Sequence, residues 1–356
     1  MCSIESNRCA VSVGPKKFEI QDRPLPEDPL QPTEVLVKVI ATGICGSDAH
    51  LWEVGTPKPL ALGHESVGII IEVGSNVKDR KIGDRVAIEP RQSCHECYFC
   101  KRGHPNTCTN FTHCSTPPTE GSLCQYFRCK FARAVPIGDK ISWEVAGCIQ
   151  PLAVTVQLCR KAKLRPHQTV AVFGCGPLGL LVMAVAKAYG ARRVIAFDIE
   201  QSRVDFATKH YADIGVLCPK DSSQDPEAFA KQFLTSKLKE TGLEMGFDVA
   251  FEVTGAESAA MMAIYALRAQ GTYVQAGLHW KPPRMPMLWV VAKELKIVGS
   301  VSYGWGCFEE AIDLIDRKLV DLSPMITATY PLTQSQQAFE AQARREDIKI
   351  IIMNQQ

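Results

Sequence analysis

Three glycines between a predicted strand and a predicted helix constrain the fold of this chain more than any other feature. In the stretch VAVFGCGPLGLLVMAVAKAYG, Gly174, Gly176 and Gly179 have the spacing G-x-G-x-x-G, with Pro177 and Leu178 between the last two. Such glycines permit a tight turn, let the backbone approach a pyrophosphate, and let the helix pack closely on its strand. The spacing alone is weak evidence, and an ordinary glycine turn is the alternative.

The next predicted strand, RRVIAF, ends in an acidic residue that strengthens this interpretation. Asp198 follows Gly179 by nineteen residues, where a carboxylate accepts hydrogen bonds from the ribose hydroxyls of a dinucleotide. Its charge would repel the additional phosphate of NADP, so the sequence favours NAD as the cofactor. Arg203 either stacks on the adenine, pairs with Asp198, or is an exposed arginine at the start of a helix.

The pattern of apolar residues changes along the chain and predicts an α/β protein with two domains. Six apolar strands alternate with helical stretches in 155–299, which predicts a doubly wound parallel sheet. Before them, β-branched stretches broken by glycine and proline predict a mostly β domain. A helical stretch and the strand KIIIM after residue 300 could close that first domain, which we therefore expect to comprise 1–154 and 300–356.

The composition is compatible with a neutral small-molecule partner. The 356 residues include 40 basic and 38 acidic ones, for a net charge of +2, so no strong field would attract nucleic acid or an acidic membrane. The N-terminal residues do not look like a signal peptide, and no run of about eighteen apolar residues suggests a membrane helix. We expect a cytoplasmic protein.

Four of the fifteen cysteines lie close together. Their spacing, C-x2-C-x2-C-x7-C, suits one tetrahedral zinc, and four thiolates leave no position for a substrate. This predicts a structural zinc in the loop 94–108; the alternative, four unligated thiols, is disfavoured by the spacing. The predicted ligands are Cys94, Cys97, Cys100 and Cys108.

A second group of candidate ligands is spread over the motifs GICGSDAH and LGHESVG. Cys45 and His64 are good zinc ligands, and Glu65 is either a third ligand or lies just behind the metal. An open fourth position would bind water or a substrate oxygen, as in a catalytic zinc site. Each of these residues taken singly is more often structural.

Taken in order, GICGSDAH, GHESVGIIIEVGSNV, the four-cysteine loop, QPLAV and the glycine motif resemble the medium-chain zinc-dependent alcohol dehydrogenases. The resemblance is closest to the polyol branch, the sorbitol, xylitol and arabinitol dehydrogenases, because GDRVAIEP and STPPTEGSL are typical of it; butanediol dehydrogenases are near neighbours. It implies a GroES-like catalytic domain built from both chain ends, a Rossmann domain between them, an active site in the cleft, and a homodimer or homotetramer.

The resemblance also implies roles for individual residues. Asp48 matches a carboxylate that orients the histidine ligand, and Ser47 and His50 match a proton relay from the bound alcohol to solvent. Thr254 and Gly277 match positions that line the nicotinamide pocket, with ordinary strand-end packing as the alternative. The positions that match ligands of the catalytic zinc are Cys45, His64 and Glu65.

Two departures from the polyol pattern bear on the chemistry. Where the family has a glutamate close to the zinc, this chain has Gln150, which keeps the shape of that side chain but loses its charge. We expect Gln150 to face the zinc, with Pro151 turning the chain after it. In the substrate pocket Tyr303 remains, but Ser302 replaces an arginine that would fork hydrogen bonds to several hydroxyls.

Trp52 and Trp305 are expected to add apolar area to that pocket, with core packing as the alternative for Trp305. The expected function is zinc-dependent hydride transfer between NAD and a secondary alcohol, polyol or vicinal diol, or the matching ketone. Gln150 and Ser302 leave two alternatives open. One is a protein that kept the fold without redox activity, and the other is a biosynthetic zinc enzyme with non-redox chemistry such as elimination.

Overall fold

The computed structural model describes residues 6–25, 29–219, 225–278 and 282–356. The chain divides into two units. The first consists of Met1–Pro151, Gly304–Lys318 and Leu322–Gln356, and the second of Leu152–Tyr303 and Leu319–Asp321. The boundaries expected from the sequence, 154/155 and 299/300, lie a few residues from these divisions.

Strands form most of the first unit and the centre of the second. Within the described ranges the strands are β1 (Asn7–Gly14), β2 (Lys17–Arg23), β3 (Glu34–Gly43), β4 (Leu60–Ala61), β5 (Glu65–Val73), β6 (Arg85–Ile88), β7 (Arg91–Gln92), β8 (Thr112–His113), β9 (Tyr126–Lys130), β10 (Ala134–Pro136), β11 (Thr169–Phe173), β12 (Arg193–Asp198), β13 (Ile214–Leu217), β14 (Phe247–Glu252), β15 (Leu267–Gln275), β16 (Lys296–Gly299), β17 (Ile326–Pro331) and β18 (Lys349–Met353).

Helices connect the strands of the second unit and are fewer in the first. The helices of the described residues are α1 (Gly46–Val54), α2 (Tyr98–Lys101), α3 (Trp143–Ala146), α4 (Ile149–Ala162), α5 (Pro177–Ala188), α6 (Gln201–His210), α7 (Pro226–Glu240), α8 (Glu257–Ala266), α9 (Met287–Ala292), α10 (Cys307–Asp316) and α11 (Ser335–Arg344). In this part of the chain, no helix combines the length and apolar character needed to cross a membrane.

The larger sheet of the first unit has the strand order β10-β6-β5-β3-β18-β17, with β9 also paired to β3. Its last strand in the sequence, β18, runs antiparallel to β3, with Ile351 opposite Gly43. The C-terminal segment is therefore hydrogen-bonded to strand β3 near the other end of the chain. This pairing also brings Lys349 close to the start of β5.

The second unit contains six parallel strands in the order β13-β12-β11-β14-β15-β16. The first strand in the sequence, β11, lies in the middle, and the later strands are added outward on both sides, as in a doubly wound nucleotide-binding sheet. The predicted GroES-like and Rossmann fold class is confirmed. Inside the sheet, the rings of Phe173 and Phe197 stack with centroids 4.5 Å apart.

One local prediction about the backbone is wrong. Pro151 does not turn the chain, because α4 begins at Ile149 and continues through the proline to Ala162. Proline is tolerated in the first helical turn, where its missing N–H has no partner within the helix. Gln150 therefore lies on the first turn of a helix.

Candidate functional site

The glycine motif forms the turn between β11 and α5. Gly174 has a φ of +110°, and a Cβ there would lie 2.6 Å from Cγ2 of Thr254. A Cβ on Gly179 would overlap the carbonyl oxygen of Gly174. Only glycine fits these two positions, and the turn ends at Pro177, the first residue of α5. The backbone N–H groups at the N-terminus of α5 are therefore available to an anion bound at the turn.

Asp198, at the end of β12, lies directly beside this turn. Its carboxylate accepts hydrogen bonds from the backbone N–H groups of Cys175, at 2.7 Å, and Glu200, at 3.0 Å. These bonds fix the carboxylate at the edge where a bound nucleotide would place its ribose. Arg203 lies in the first turn of α6 and forms no ion pair with Asp198 in the described part of the chain.

The ends of β14 and β15 are organised by Glu252, a fully buried carboxylate that the sequence did not single out. It accepts hydrogen bonds from the backbone N–H of Thr254, at 2.7 Å, and from the amide of Gln275, at 2.6 Å. The backbone N–H of Gly277 donates to the Glu252 carbonyl at 3.0 Å. Thr254 and Gly277 are thereby held at neighbouring strand ends. An acidic residue ending an apolar strand was the signal in the sequence.

The four-cysteine loop brings its sulfur atoms together. The ligand atoms of Cys94, Cys97, Cys100 and Cys108 all lie within 4.8 Å of one another. The sulfur atoms of Cys94 and Cys108 are 3.4 Å apart. Hydrogen bonds from the backbone N–H groups of Cys100 and Thr109 lower the pKa of Cys97 to about 5, which favours the thiolate that a metal requires. Four convergent sulfurs fit a closed tetrahedral zinc site.

The second group of candidate ligands also converges. Ligand atoms of Cys45, His64 and Glu65 lie within 4.8 Å of one another. Cys45 precedes α1, whereas His64 directly precedes β5 and Glu65 is its first residue. The three donor types, sulfur, nitrogen and carboxylate oxygen, are those of a zinc site with an open position. These residues therefore fit a catalytic zinc.

The ring of His64 is oriented from behind by Asp48. Nδ1 of His64 lies 3.0 Å from Oδ2 of Asp48, and both residues are buried. Burial lowers the pKa of His64, but the charges of Asp48 and Cys45 outweigh it and hold that pKa well above its usual value. Because Nδ1 is engaged with Asp48, Nε2 is the ring atom available to a metal. Ser115 fixes the other Asp48 oxygen by donating to it.

Glu65 has a partner that the sequence did not reveal. Lys349, at the start of β18, is 3% exposed; its ammonium group forms an ion pair with Glu65 Oε2 and donates to the carbonyl of Ile44 at 2.9 Å. Burial lowers the pKa of Lys349, but the neighbouring Glu65 carboxylate outweighs it and raises that pKa. A Cβ on Gly43 would lie 2.9 Å from Cε of Lys349, so this glycine makes room for the pair.

The two residues of the predicted proton relay lie on α1. The hydroxyl of Ser47 donates to the Cys45 sulfur at 3.3 Å, and both Ser47 and His50 are exposed. Ser47 therefore contacts the ligand cluster, and His50 reaches solvent from the same helix.

The predicted pocket residues lie in different environments. Gln150 is buried on the first turn of α4. Tyr303 is also buried, and Ser302 has a φ of +54°. Trp305 is 59% exposed, and its ring lies 5.8 Å from that of His95 in the cysteine loop. The core-packing alternative for Trp305 is therefore excluded.

The prediction for Trp52 is wrong. Its side chain is 2% exposed and packs in the core of the first unit, 5.9 Å from the ring of Phe339. The cause is helical periodicity, because Trp52 follows Asp48 by one turn of α1 and points to the same buried side. It contributes to stability rather than to a substrate surface.

His113, which the sequence did not single out, lies beside the candidate zinc site. Its ring centroid is 5.2 Å from that of His64 in an edge-on arrangement, and its Nδ1 lies 2.7 Å from the carbonyl oxygen of Cys114. Burial lowers the pKa of His113 to about 4, so the ring is neutral at neutral pH. No spacing rule in the sequence pointed to it.

Known proteins resemble this chain over nearly its whole length. Family models match residues 31–139, the alcohol dehydrogenase GroES-like domain, and residues 177–317, the zinc-binding dehydrogenase. A probable D-xylulose reductase A of Aspergillus clavatus is 38% identical, over 97% of this chain and 96% of that protein.

Two solved structures have the same fold and similar lengths. The structure of 2R,3R-butanediol dehydrogenase from Bacillus subtilis has a TM-score of 0.84 and 26% identity, over 98% of this chain and 99% of the other. A putative zinc-binding dehydrogenase from Sinorhizobium meliloti 1021, bound to NADP, has a TM-score of 0.86 and 25% identity over the same shares of the two chains.

Proposed function

The chain belongs to the medium-chain zinc-dependent alcohol dehydrogenases, in the polyol dehydrogenase branch, and from this premise we propose that it transfers hydride between NAD and a polyol or vicinal diol, or the matching ketone. A simple secondary alcohol is included in the proposed range. The observation that carries the proposal is the convergence of Cys45, His64 and Glu65, whose ligand atoms lie within 4.8 Å of one another.

We propose that these three residues hold the catalytic zinc and that the four-cysteine loop holds the structural zinc. When bound, zinc would polarise the substrate hydroxyl, and the nicotinamide would accept the hydride. Asp48 keeps the His64 ring in one orientation, and Lys349 keeps Glu65 from rotating away. The cluster therefore needs little rearrangement to accept the metal.

The proton released by the alcohol needs a route to water. We propose that Ser47 accepts it and that His50 passes it to solvent. The contact of the Ser47 hydroxyl with Cys45, at 3.3 Å, supports the first step. His50 is exposed and lies on the same helix as Ser47, four residues after its first residue, Gly46, which supports the second step. A serine hydroxyl suits this role because it is both donor and acceptor.

NAD is proposed over NADP because of Asp198. Its carboxylate is held beside the glycine turn by the N–H groups of Cys175 and Glu200. A second phosphate on the ribose would meet this negative charge. The structure of the similar S. meliloti protein has NADP bound, so reaction rates are to be compared with both cofactors.

The test is a panel of xylitol, sorbitol and 2,3-butanediol with each cofactor, together with zinc analysis. We expect zinc at both clusters, and reduction of the cofactor by at least one substrate, faster with NAD than with NADP. Zinc at the cysteine loop alone, with no turnover on the panel or its ketones, would refute the proposal. Product formation without net change of the cofactor would support elimination instead.

The two alternatives left open by the sequence are not favoured. Non-redox zinc chemistry is disfavoured because the similar proteins are a reductase and a dehydrogenase. A protein that had lost its redox activity would be expected to lose some of its ligands, yet Cys45, His64 and Glu65 still converge. Asp48 and Lys349 also remain in contact with them. A site under no functional constraint has no reason to retain a buried ion pair, which is costly to desolvate.

Gln150→Glu is expected to make the ligand environment more negative. Lys349 already cancels the charge of Glu65, so the added carboxylate would weaken the polarisation of the substrate hydroxyl. The acidic limb of the kcat/KM profile for alcohol oxidation should move up by about one pH unit, and zinc should bind more tightly. Gln150→Asn, which stays neutral, is the control. Unchanged zinc affinity, pH profile and turnover would show that Gln150 does not act on the metal.

We also propose that the predicted homo-oligomer forms through the edge of the six-stranded sheet. Strand β16 is an edge strand, and Leu288, Val291 and Ile297 beside it or on it are large, apolar and exposed. Such a surface usually marks an interface. Val291→Glu should lower the mass measured by light scattering, whereas Met245→Glu, at another exposed position of this unit, should not. A monomeric wild type would contradict the proposal.

A further inference from the structure

Two buried cysteines outside both candidate metal sites face each other across neighbouring strands. Cys9 in β1 and Cys124, two residues before β9, form an antiparallel β-bridge. Each is only 4% exposed, and they pack together with Val11 and Ala61. Two thiols at directly opposite positions differ from the other buried cysteines of this unit, such as Cys129, which lies opposite Val35.

The flanking hydrogen bonds define the geometry of the pair. Ala10 N donates to Leu123 O at 2.9 Å, and Gln125 N donates to Arg8 O at 2.9 Å. The cysteines between them therefore occupy a non-hydrogen-bonded pair, in which the Cα atoms are about 4.5 Å apart and the side chains approach closely. A disulfide accepts Cα separations from about 4.4 to 6.8 Å. The backbone already has a spacing that a disulfide can bridge.

The two thiols are also unequal. The Cys9 sulfur lies 3.3 Å from the carbonyl oxygen of Asn7, and the Cys124 sulfur lies 3.2 Å from that of Tyr126. A hydrogen bond from Cys124 lowers the pKa of Cys9, assisted by the Arg23 guanidinium and opposed by burial. The contact with Cys9 and burial raise the pKa of Cys124. Cys9 is therefore the better nucleophile, and Cys124 is the thiol placed to react next.

We propose that Cys9 and Cys124 are a redox modification site that forms a reversible cross-strand disulfide on exposure to hydrogen peroxide. The Cys9 thiolate attacks one peroxide oxygen, the O–O bond breaks, and the departing hydroxide takes up a proton to become water. The Cys124 sulfur then displaces the hydroxyl of the resulting sulfenic acid, which leaves as a second water. In all, the two thiols lose two electrons and two protons, and the peroxide takes up these electrons and protons to become two waters.

The disulfide would tie β1 to the segment that supports the His64 loop. Ser122 N donates to Gly63 O at 2.9 Å, and Leu123 N donates to Leu62 O at 2.8 Å. A covalent link one residue further on restricts opening of the strand pair. The expected effect is slower amide exchange in β1 and around residues 122–125 by about tenfold.

The test uses the zinc-loaded protein and a peroxide dose that leaves its zinc content unchanged. After alkylation and digestion, we expect the peptides containing Cys9 and Cys124 to be joined, two hydrogens lighter than the free pair, and separated by a dithiol. Cys9→Ser and Cys124→Ser should each abolish the link, while Cys129→Ser should keep it. Exchange of β1 amides provides a second readout.

Two results would overturn the proposal. One is recovery of both cysteines as alkylated free thiols at a dose that oxidises an exposed model thiol. The other is linkage of Cys124 to Cys114 in place of Cys9. If the serine variants fold poorly, the wild-type protein alone decides the matter, because the joined peptides are either present or absent.

Discussion

Cys45→Ser is expected to leave the protein folded, to remove zinc from one of its two clusters, and to lower kcat/KM by at least about 10³-fold. Serine keeps the size of the side chain but does not supply a thiolate at neutral pH. His64 and Glu65 alone hold zinc poorly because a catalytic site needs three protein ligands. Metal analysis measures the loss of zinc, and steady-state kinetics on the substrate panel measure the loss of kcat/KM.

The matched control is Cys148→Ser. Cys148 is buried and interacts electrostatically with Lys349 and Glu65. Burial raises its pKa to about 12, so it is a neutral thiol. It belongs to neither cluster of candidate ligands. This variant should keep both metals and most of the activity. Cys97→Ser provides the opposite case, since it should lose only the structural zinc. If Cys45→Ser retains zinc at both clusters and normal turnover, the assignment of the catalytic metal site is wrong.

Lys349→Met is expected to lower the free energy of unfolding by about 3–5 kcal/mol. The side chain of Lys349 is 4% exposed and that of Glu65 is 2% exposed, so removing the ammonium leaves a buried carboxylate without its partner. The effect should be largest in the zinc-free protein, because bound zinc would itself compensate the Glu65 charge. Denaturant unfolding followed by fluorescence, with and without a chelator, measures the loss of unfolding free energy and its dependence on bound zinc.

A lysine elsewhere in the same sheet supplies the control. Lys130 ends β9 at an exposed position, and Lys130→Met should change the stability by no more than about 0.5 kcal/mol. The double variant Lys349→Met with Glu65→Gln should recover part of the lost stability, because it no longer buries an unpaired charge. Equal stability of Lys349→Met and the wild-type protein would show that the ion pair contributes nothing.

The fold could be predicted to a large extent because its signals are local. Alternating apolar strands and amphipathic helices have distinct periods, and the six strands of the second unit were all recognised from short stretches. The requirement for glycine at Gly174 and Gly179 is likewise local, because it arises where one strand turns into the next helix. The sulfur cluster could be predicted for the same reason, since its four ligands lie within one loop.

Errors arose where the position of a residue within a helix decided the outcome. Trp52 was expected in a pocket, but its place on α1, one turn after Asp48, directs it into the core. Pro151 was expected to turn the chain, yet the first turn of a helix accommodates proline. The helical phase selected the environment of Trp52, and the start of α4 at Ile149 selected that of Pro151.

The sequence by itself determined the two-domain class, the glycine turn, the four-sulfur loop and the identity of the residues Cys45, His64 and Glu65. Only the tertiary structure decided that Lys349 lies against Glu65 and that His113 lies against His64. Lys349 meets Glu65 because β18 pairs with β3 some three hundred residues earlier in the chain. His113, in the separate two-stranded sheet of β7 and β8, packs edge-on against the His64 ring. Contacts between residues so distant in sequence arise from strand pairing and tertiary packing, and no local spacing encodes them.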